Sequence, residues 1–343
     1  MNLTPCRPLL LLVAGGALAV SCHALLDIDD VEFGSTTAGG AQGGGTSSGG
    51  GTGGTGGQPV GGSGGTTATG VGGAAGSGGA GVGGQGGAVL GPWSTPVVVT
   101  EIDQALADDD DPVFTADLLE LYFNSDRSGN DDIFVSTRAD PSNPWGAPSA
   151  ATALNTTSGE TNPVISQDGL TIWFGSRRIT PRGIFVSTRS SRAQPWATPT
   201  EVAELNSSAD DIPCAATADG LTIVIESQRD GGWNLYQSTR SSTTEAWSTP
   251  SPLTELNTPQ SDLEMWLSPD GLTAYYDTDS PGGTQADIFR TTRSSVASPF
   301  ETPVAVDDLN SAVSESDPWL SPDERYIMFT RGPSPRTIYE AFR

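Results

Sequence analysis

From Trp93 to the end of the chain, apolar residues recur in short runs rather than at helical spacing. The runs are punctuated by aspartates at 117, 168, 219, 270 and 323. Four residues after each stands Leu121, Ile172, Ile223, Ala274 or Ile327, and six after it stands Phe123, Phe174, Ile225, Tyr276 or Phe329. The residue between is apolar as well: Tyr122, Trp173, Val224, Tyr275 and Met328. A strand apolar on both faces belongs inside stacked sheets, whereas a half-wetted strand shows strict alternation. A further strand is predicted at 133–138, 184–189, 235–240, 288–293 and 338–343, each ending in arginine. Glycine follows the aspartate at 169, 220 and 271, the chemistry of a tight hairpin turn. No segment carries a helix pattern.

The runs belong to a repeat. Trp93, Trp145, Trp196, Trp247 and Phe300 are spaced by 52, 51, 51 and 53 residues, and a proline follows each at 96, 148, 199, 250 or 303. A Leu-Asn pair recurs at Leu154-Asn155, Leu205-Asn206, Leu256-Asn257 and Leu309-Asn310. Four short strands in a unit of about 51 residues is the arithmetic of a propeller blade. The chain stops at Arg343 on the third strand of the fifth unit, while an orphan outer-strand sequence, 95–102, precedes the first complete unit. These ends match, so the expectation is an all-β, five-bladed β-propeller in which the N-terminal strand completes the last blade and removes an exposed edge. An open solenoid would need no such matched ends.

The segments Ser166-Gln167-Asp168-Gly169-Leu170-Thr171-Ile172-Trp173-Phe174 and Ser268-Pro269-Asp270-Gly271-Leu272-Thr273-Ala274-Tyr275-Tyr276 resemble the SPDG…YF core of WD-like propeller repeats of the TolB type. Ser125 to Arg127 and Asp132 to Phe134 match that pattern too. The resemblance spans Trp93 to Arg343 and implies a fold, since such propellers host many functions. No part of the sequence resembles the separate N-terminal α/β domain of TolB, so TolB's role is not carried over.

Two charged columns accompany the repeat. Asp109, Glu160, Asp211, Asp262 and Glu315 lie eight residues before each turn aspartate, where the chain enters a blade near the central opening. One reading is an acidic ring that binds Ca²⁺ or a polyhydroxylated ligand. The other is a set of caps, each acid accepting backbone N–H groups or pairing with Arg127, Arg178 or Arg229. Arg138, Arg189, Arg240, Arg293 and Arg343 form the second column. They are expected to latch each hairpin by gripping the turn aspartate, with an anion-binding surface as the alternative. The run Asp108 to Asp111 lacks the ligand alternation of an EF-hand and reads as a solvated connection. The repeated tryptophans read as blade packing rather than sugar-stacking platforms.

Composition narrows the rest. The 343 residues carry 41 acidic and 16 basic side chains, a net charge of −25, and every basic residue is arginine. That excludes nucleic acid and polybasic membrane adhesion. One histidine, His23, excludes histidine-based triads and metal sites in the folded part. Of 44 glycines, 29 fall between Gly34 and Gly91, in a 59-residue stretch (34–92) without a charged side chain. It reads as a disordered linker with a root-mean-square span of roughly 40–45 Å.

Residues 1–21 read as a signal peptide, with Arg7 ahead of a 12-residue apolar run that is too short to span a bilayer. The run ends in Leu18-Ala19-Val20-Ser21-Cys22, which resembles the bacterial lipobox. By that resemblance Cys22 is lipidated and begins an acidic mature N-terminus (22–33), and His23 after it points to the outer membrane. Ordinary cleavage without lipid is the alternative. Cys214 would then stand alone in the folded part, a small buried residue without a base to activate it.

The expectation is therefore an exported, lipid-anchored envelope protein whose monomeric propeller head is a non-enzymatic binding or scaffold module for a protein or glycan. Calcium is the one cofactor the sequence raises. The rival is a carboxylate-based glycoside hydrolase working at the central opening.

Overall fold

The computed structural model describes residues 90–279 and 285–343. The signal peptide, Cys22, the acidic N-terminus and the linker up to residue 89 lie outside the described residues. All described secondary structure is β, in five four-stranded antiparallel sheets. Blade one comprises β2 (Asp109–Phe114), β3 (Glu120–Ser125), β4 (Asp132–Thr137) and β5 (Ser149–Ala150). Blade two follows with β6 (Glu160–Ile165), β7 (Thr171–Ser176), β8 (Gly183–Thr188) and β9 (Thr200–Glu201). Blade three is β10 (Asp211–Ala216), β11 (Thr222–Ser227), β12 (Asn234–Thr239) and β13 (Ser251–Pro252). Blade four is β14 (Asp262–Leu267), β15 (Thr273–Asp279), β16 (Ala286–Thr292) and β17 (Val304–Ala305). In blade five, β18 (Glu315–Leu320), β19 (Tyr326–Arg331) and β20 (Thr337–Phe342) are completed by β1 (Val97–Val98) from the start of the head.

This is the five-bladed propeller expected from the repeat, closed by its N-terminal strand. Val97 pairs with Glu340 and Val98 with Tyr339, and Val99 N–H donates to the Ile338 carbonyl at 3.0 Å. The outer strands are shorter than the sequence pattern suggests, two residues each. The second strand of each blade is buried on both faces: Leu121, Phe123, Ile172, Phe174, Ile223, Ile225, Ile327 and Phe329 are at 0% exposure on one, and Tyr122, Trp173, Val224, Tyr275 and Met328 are buried on the other. That burial between neighbouring sheets is why both faces are apolar.

The Leu-Asn pair ties the connection that follows the outer strand to the third strand of the same blade. Asn155 accepts the Ile133 N–H and donates to the Ile133 carbonyl, both at 2.9 Å. Asn257 and Asn310 do the same to Leu235 and Ile288. A side-chain amide thus continues the ladder where the outer strand has ended.

The arginine latch exists, but its partner differs from the expected one. Nε of Arg138, Arg189, Arg240, Arg293 and Arg343 donates to the backbone carbonyl of Leu118, Gly169, Gly220, Gly271 and Glu324, at 2.6–2.8 Å. The turn aspartates are already engaged within their own turns. Asp168 accepts from the Ser166 hydroxyl at 2.6 Å and the Leu170 N–H at 2.9 Å. The carbonyl belongs to the residue with positive φ, for which glycine is the natural choice at 169, 220 and 271. Each guanidinium also lies over the repeated aromatic, with Arg138 on Trp145, Arg189 on Trp196, Arg240 on Trp247 and Arg293 on Phe300, 4.0–4.3 Å from the ring centroid. Arg343 stacks at 4.2 Å on Trp93, so the closing segment supplies the aromatic as well as the strand.

The corrected latch separates two substitutions. Arg189→Met should lower stability by about 3 kcal/mol or more, through the lost carbonyl bond, the cation–π contact and the ion pair with Glu120 of blade one. Asp168→Ala, which removes an exposed turn cap, should cost about 1 kcal/mol or less. Denaturant unfolding of the two variants checks the order, and equal losses would restore the Asp–Arg pairing.

Candidate functional site

The repeated acids open the inner strands. Asp109, Glu160, Asp211, Asp262 and Glu315 are the first residues of β2, β6, β10, β14 and β18, and all five are fully buried. Each is saturated by its own blade. Glu160 accepts from Thr156 N–H at 2.7 Å, Thr156 Oγ1 and Ser176 Oγ at 2.8 Å, and Arg178 at 3.2 Å. Arg178 also donates to the Leu154 carbonyl, binding the incoming connection to the strand it feeds. Arg127 and Arg229 repeat this arrangement on Asp109 and Asp211, and Arg331 on Glu315. Blade four departs from it, with Thr278 Oγ1 donating to Asp262 at 2.6 Å. The carboxylate oxygens a ligand would need on this column are occupied within the blades.

A different set of acids meets at the centre. The third residue of each inner strand is Asp111, Asn162, Pro213, Glu264 or Asp317. A register irregularity falls in every inner strand around this position. Asp111, Asn162 and Asp317 take positive φ of 53°, 52° and 56°. A bulge of this kind re-aims a side chain, and left-handed backbone at a non-glycine residue is strain that surrounding structure must hold. The carboxylate oxygens of Asp111, Glu264 and Asp317 lie within 4.8 Å of one another. Asp111 and Asp317 are buried and Glu264 is half-buried. The fifth residue of each second strand lines the same region: Asn124, Gly175, Glu226, Asp277 and Thr330.

The Asp108 to Asp111 run is accordingly not a solvated connection. Asp109, Asp110 and Asp111 begin β2 and are buried. Charge runs ordinarily face water, but this one is held inside by partners. Asn124 Nδ2 donates to Asp110, and Arg336 Nη1 reaches Asp110 Oδ2 at 2.9 Å. Asn162 Nδ2 donates to both Asp111 and Glu264, while its N–H donates to Asn124 Oδ1 at 3.1 Å. Asp317 N–H donates to Asp277 Oδ1 at 3.1 Å.

The hydrogen bonds do not neutralise the charge. Burial first, and the neighbouring acids second, hold the carboxyls of Asp110 and Asp111 well above the usual range. The same two causes raise Glu264 and Asp277. Burial lifts Glu226 to about 7. Glu226 is 1% exposed, its carboxyl meets that of Glu264, and its Oε1 has no hydrogen-bond partner. Beside the trio lies a cavity of about 10 Å³ walled by Asp111, Glu264, Asp317, Cys214, Met265 and Trp319. Cys214 is buried and free, and burial pushes its thiol up, which keeps it protonated and inert.

A larger hollow of about 610 Å³ opens at the seam between blades four and five. Tyr275, Arg290, Glu301, Thr302, Arg343 and Trp93 line it. Glu324 accepts from Tyr275, Arg290 and Arg343 at 3.0–3.4 Å, fixing the polar wall. The tryptophans themselves serve as packing under the arginines, with Trp93, Trp145 and Trp247 buried and Trp196 half-buried.

No family model matches the sequence, and no curated protein matches it either. Among solved structures the chain is similar to an endo-arabinase from Bacteroides thetaiotaomicron (TM-score 0.50, 12% identity, 73% of this chain and 96% of that one). It is similar to the α-L-arabinofuranosidase PaAbf62A from Podospora anserina (TM-score 0.49, 13% identity, 70% and 91%). It is also similar to TolB from Acinetobacter baumannii (TM-score 0.42, 15% identity, 67% of this chain), of which it spans about half, 53%. At such identities the likeness is one of fold alone.

Proposed function

We propose that this chain is an exported envelope protein, anchored through lipid on Cys22, whose propeller binds a protein or glycan without transforming it. The observation that carries this reading is the contrast between the two openings. The cavity among the central acids measures about 10 Å³, whereas the seam hollow offers about 610 Å³. The latter lies within the roughly 300–1,000 Å³ of ordinary ligand pockets and combines two aromatic side chains, Trp93 and Tyr275, with several hydrogen-bonding ones. The uncharged linker supports a head free to search above a membrane surface.

The glycoside hydrolase reading finds less support. Such an enzyme sets two carboxyl groups roughly 5–9.5 Å apart across a sugar. Here the central carboxylates crowd within 4.8 Å beside a space the size of one water molecule.

The test uses the full chain recovered from a bacterial membrane fraction. Mass spectrometry should find the acyl mass on Cys22, and envelope oligosaccharides and peptides are then screened for binding. Thr302→Trp, an exposed substitution that fills the hollow, should weaken whichever ligand binds by at least about tenfold with an unchanged melting temperature. Unmodified Cys22 would refute the anchor, and binding indifferent to Thr302→Trp would refute the hollow.

A further inference from the structure

We propose that the central cluster of Asp111, Glu264 and Asp317 is a site for a single calcium ion. The geometry is the first support. Three oxygens no more than 4.8 Å apart share a point that lies about 2.8 Å or less from each, close to the 2.3–2.6 Å at which calcium takes oxygen ligands. The second support is a fourth carboxyl, Glu226, which hydrogen-bonds to Glu264 yet leaves one of its oxygens unmatched. Glu226 Oε1 is an unpartnered polar atom on a side chain only 1% exposed, and its carboxyl meets Glu264. Buried polar atoms nearly always have a partner, and one left over at an acidic cluster calls for a cation.

Charge balance points the same way. Asp110, Asp111, Glu226, Glu264, Asp277 and Asp317 crowd this region, and the arginines among their electrostatic partners are Arg182 and Arg336. Of these, Arg336 is bonded to Asp110 rather than to the trio. A divalent ion among Asp111, Glu264 and Asp317 supplies the missing positive charge where the like charges are closest.

The donor chemistry selects among metals. Oxygen ligands without imidazole favour a hard cation over zinc and copper. Magnesium ordinarily keeps several waters, and a cavity of about 10 Å³ holds about one. Calcium, which accepts an all-protein shell, fits. Glu264, the half-buried member, marks the side of entry.

The full chain is stripped with chelator and dialysed at physiological salt, so that screening suppresses loose counter-ions on a protein of net charge −25. Equilibrium dialysis against ⁴⁵Ca²⁺ should then give one ion per chain. Tb³⁺, used as a probe, should show emission sensitised by Trp319 in the cavity wall. Saturating Ca²⁺ should raise the melting temperature by roughly 5 °C or more, and Mg²⁺ at equal concentration by much less. Glu264→Gln and Asp317→Asn should each abolish the bound ion, while their metal-free melting temperatures stay at or above that of the metal-free wild type. Asp168→Ala, in an exposed turn, should keep the ion. Zero stoichiometry in the wild type, or calcium retained by the Glu264→Gln/Asp317→Asn double variant, would overturn the site.

Discussion

Glu160→Ala should unfold about 10 °C below the parent protein. The carboxylate is fully buried and receives four hydrogen bonds, one of them from Arg178. Truncation leaves the guanidinium half-enclosed with its charge unmatched, and strands the Thr156 N–H and the Ser176 hydroxyl. Breaking a buried ion pair from one side costs about 3–5 kcal/mol, and in a domain of this size each kcal/mol moves the midpoint by roughly 2–4 °C.

Two companions locate the cause. Glu160→Gln keeps the side-chain length and an acceptor oxygen, and should lose less than half as much. Glu160→Leu combined with Arg178→Met removes both charges and should recover part of the stability lost by Glu160→Ala, because an apolar pair of similar volume needs no desolvation. Thermal melts of these variants check the series. A Glu160→Ala protein that melts with the parent would mean that the column is not structural and is free to bind something else.

Of the two readings the sequence left open for that column, the ion pairs with Arg127, Arg178 and Arg229 fit the caps rather than the acidic ring. The architecture was legible because the repeat is written in residue types whose physics is local: an aromatic beside the latch arginine, an asparagine that prolongs a ladder, a turn aspartate. Applied to charged residues, the same repetition drew attention to Asp109, Glu160, Asp211, Asp262 and Glu315, which turn out to be saturated inside their blades. The acids that meet at the centre stand two residues further on, where the five units read Asp111, Asn162, Pro213, Glu264 and Asp317.

Those positions carry a usable signal, and it is the break in the repeat. A position that each blade needs for its own folding tends to hold the same chemistry five times. A position facing a shared axis answers to its four counterparts and is free to differ. What the sequence could not supply is depth. Asp108 to Asp111 looks like a solvated run because three consecutive aspartates in a buried strand violate the ordinary distribution of charge, and only the arrangement of five inner strands around one axis brings Asn162 and Arg336 to receive them. The partner of the arginine latch was misassigned for a related reason. Charge matching nominated the aspartate, whereas the turn had already consumed it and left a carbonyl in its place.

A larger loss is expected from opening the ring. A head beginning at residue 103 lacks β1 and with it Trp93, Val99 and Ile102, which are 6%, 2% and 1% exposed in the closed propeller. Burying three such side chains contributes roughly 5–8 kcal/mol, comparable to the whole stability of many domains. The deletion also takes the ring on which Arg343 stacks and the donors and acceptors that pair with Ile338, Tyr339, Glu340 and Phe342. What remains is β20 as a bare edge, a template for pairing with other chains.

Compared with a head beginning at residue 90, the shortened protein should melt at least 15 °C lower and form oligomers on size exclusion. Both defects should be reversed by a synthetic peptide of residues 91–102 supplied in trans, since added strands restore an edge through main-chain bonds. The same peptide carrying Trp93→Ala should rescue poorly, because it returns the strand without the aromatic under Arg343. Rescue by both peptides alike would assign closure to backbone pairing alone. A shortened head as stable and monomeric as the longer one would show that the ring does not depend on its N-terminal strand.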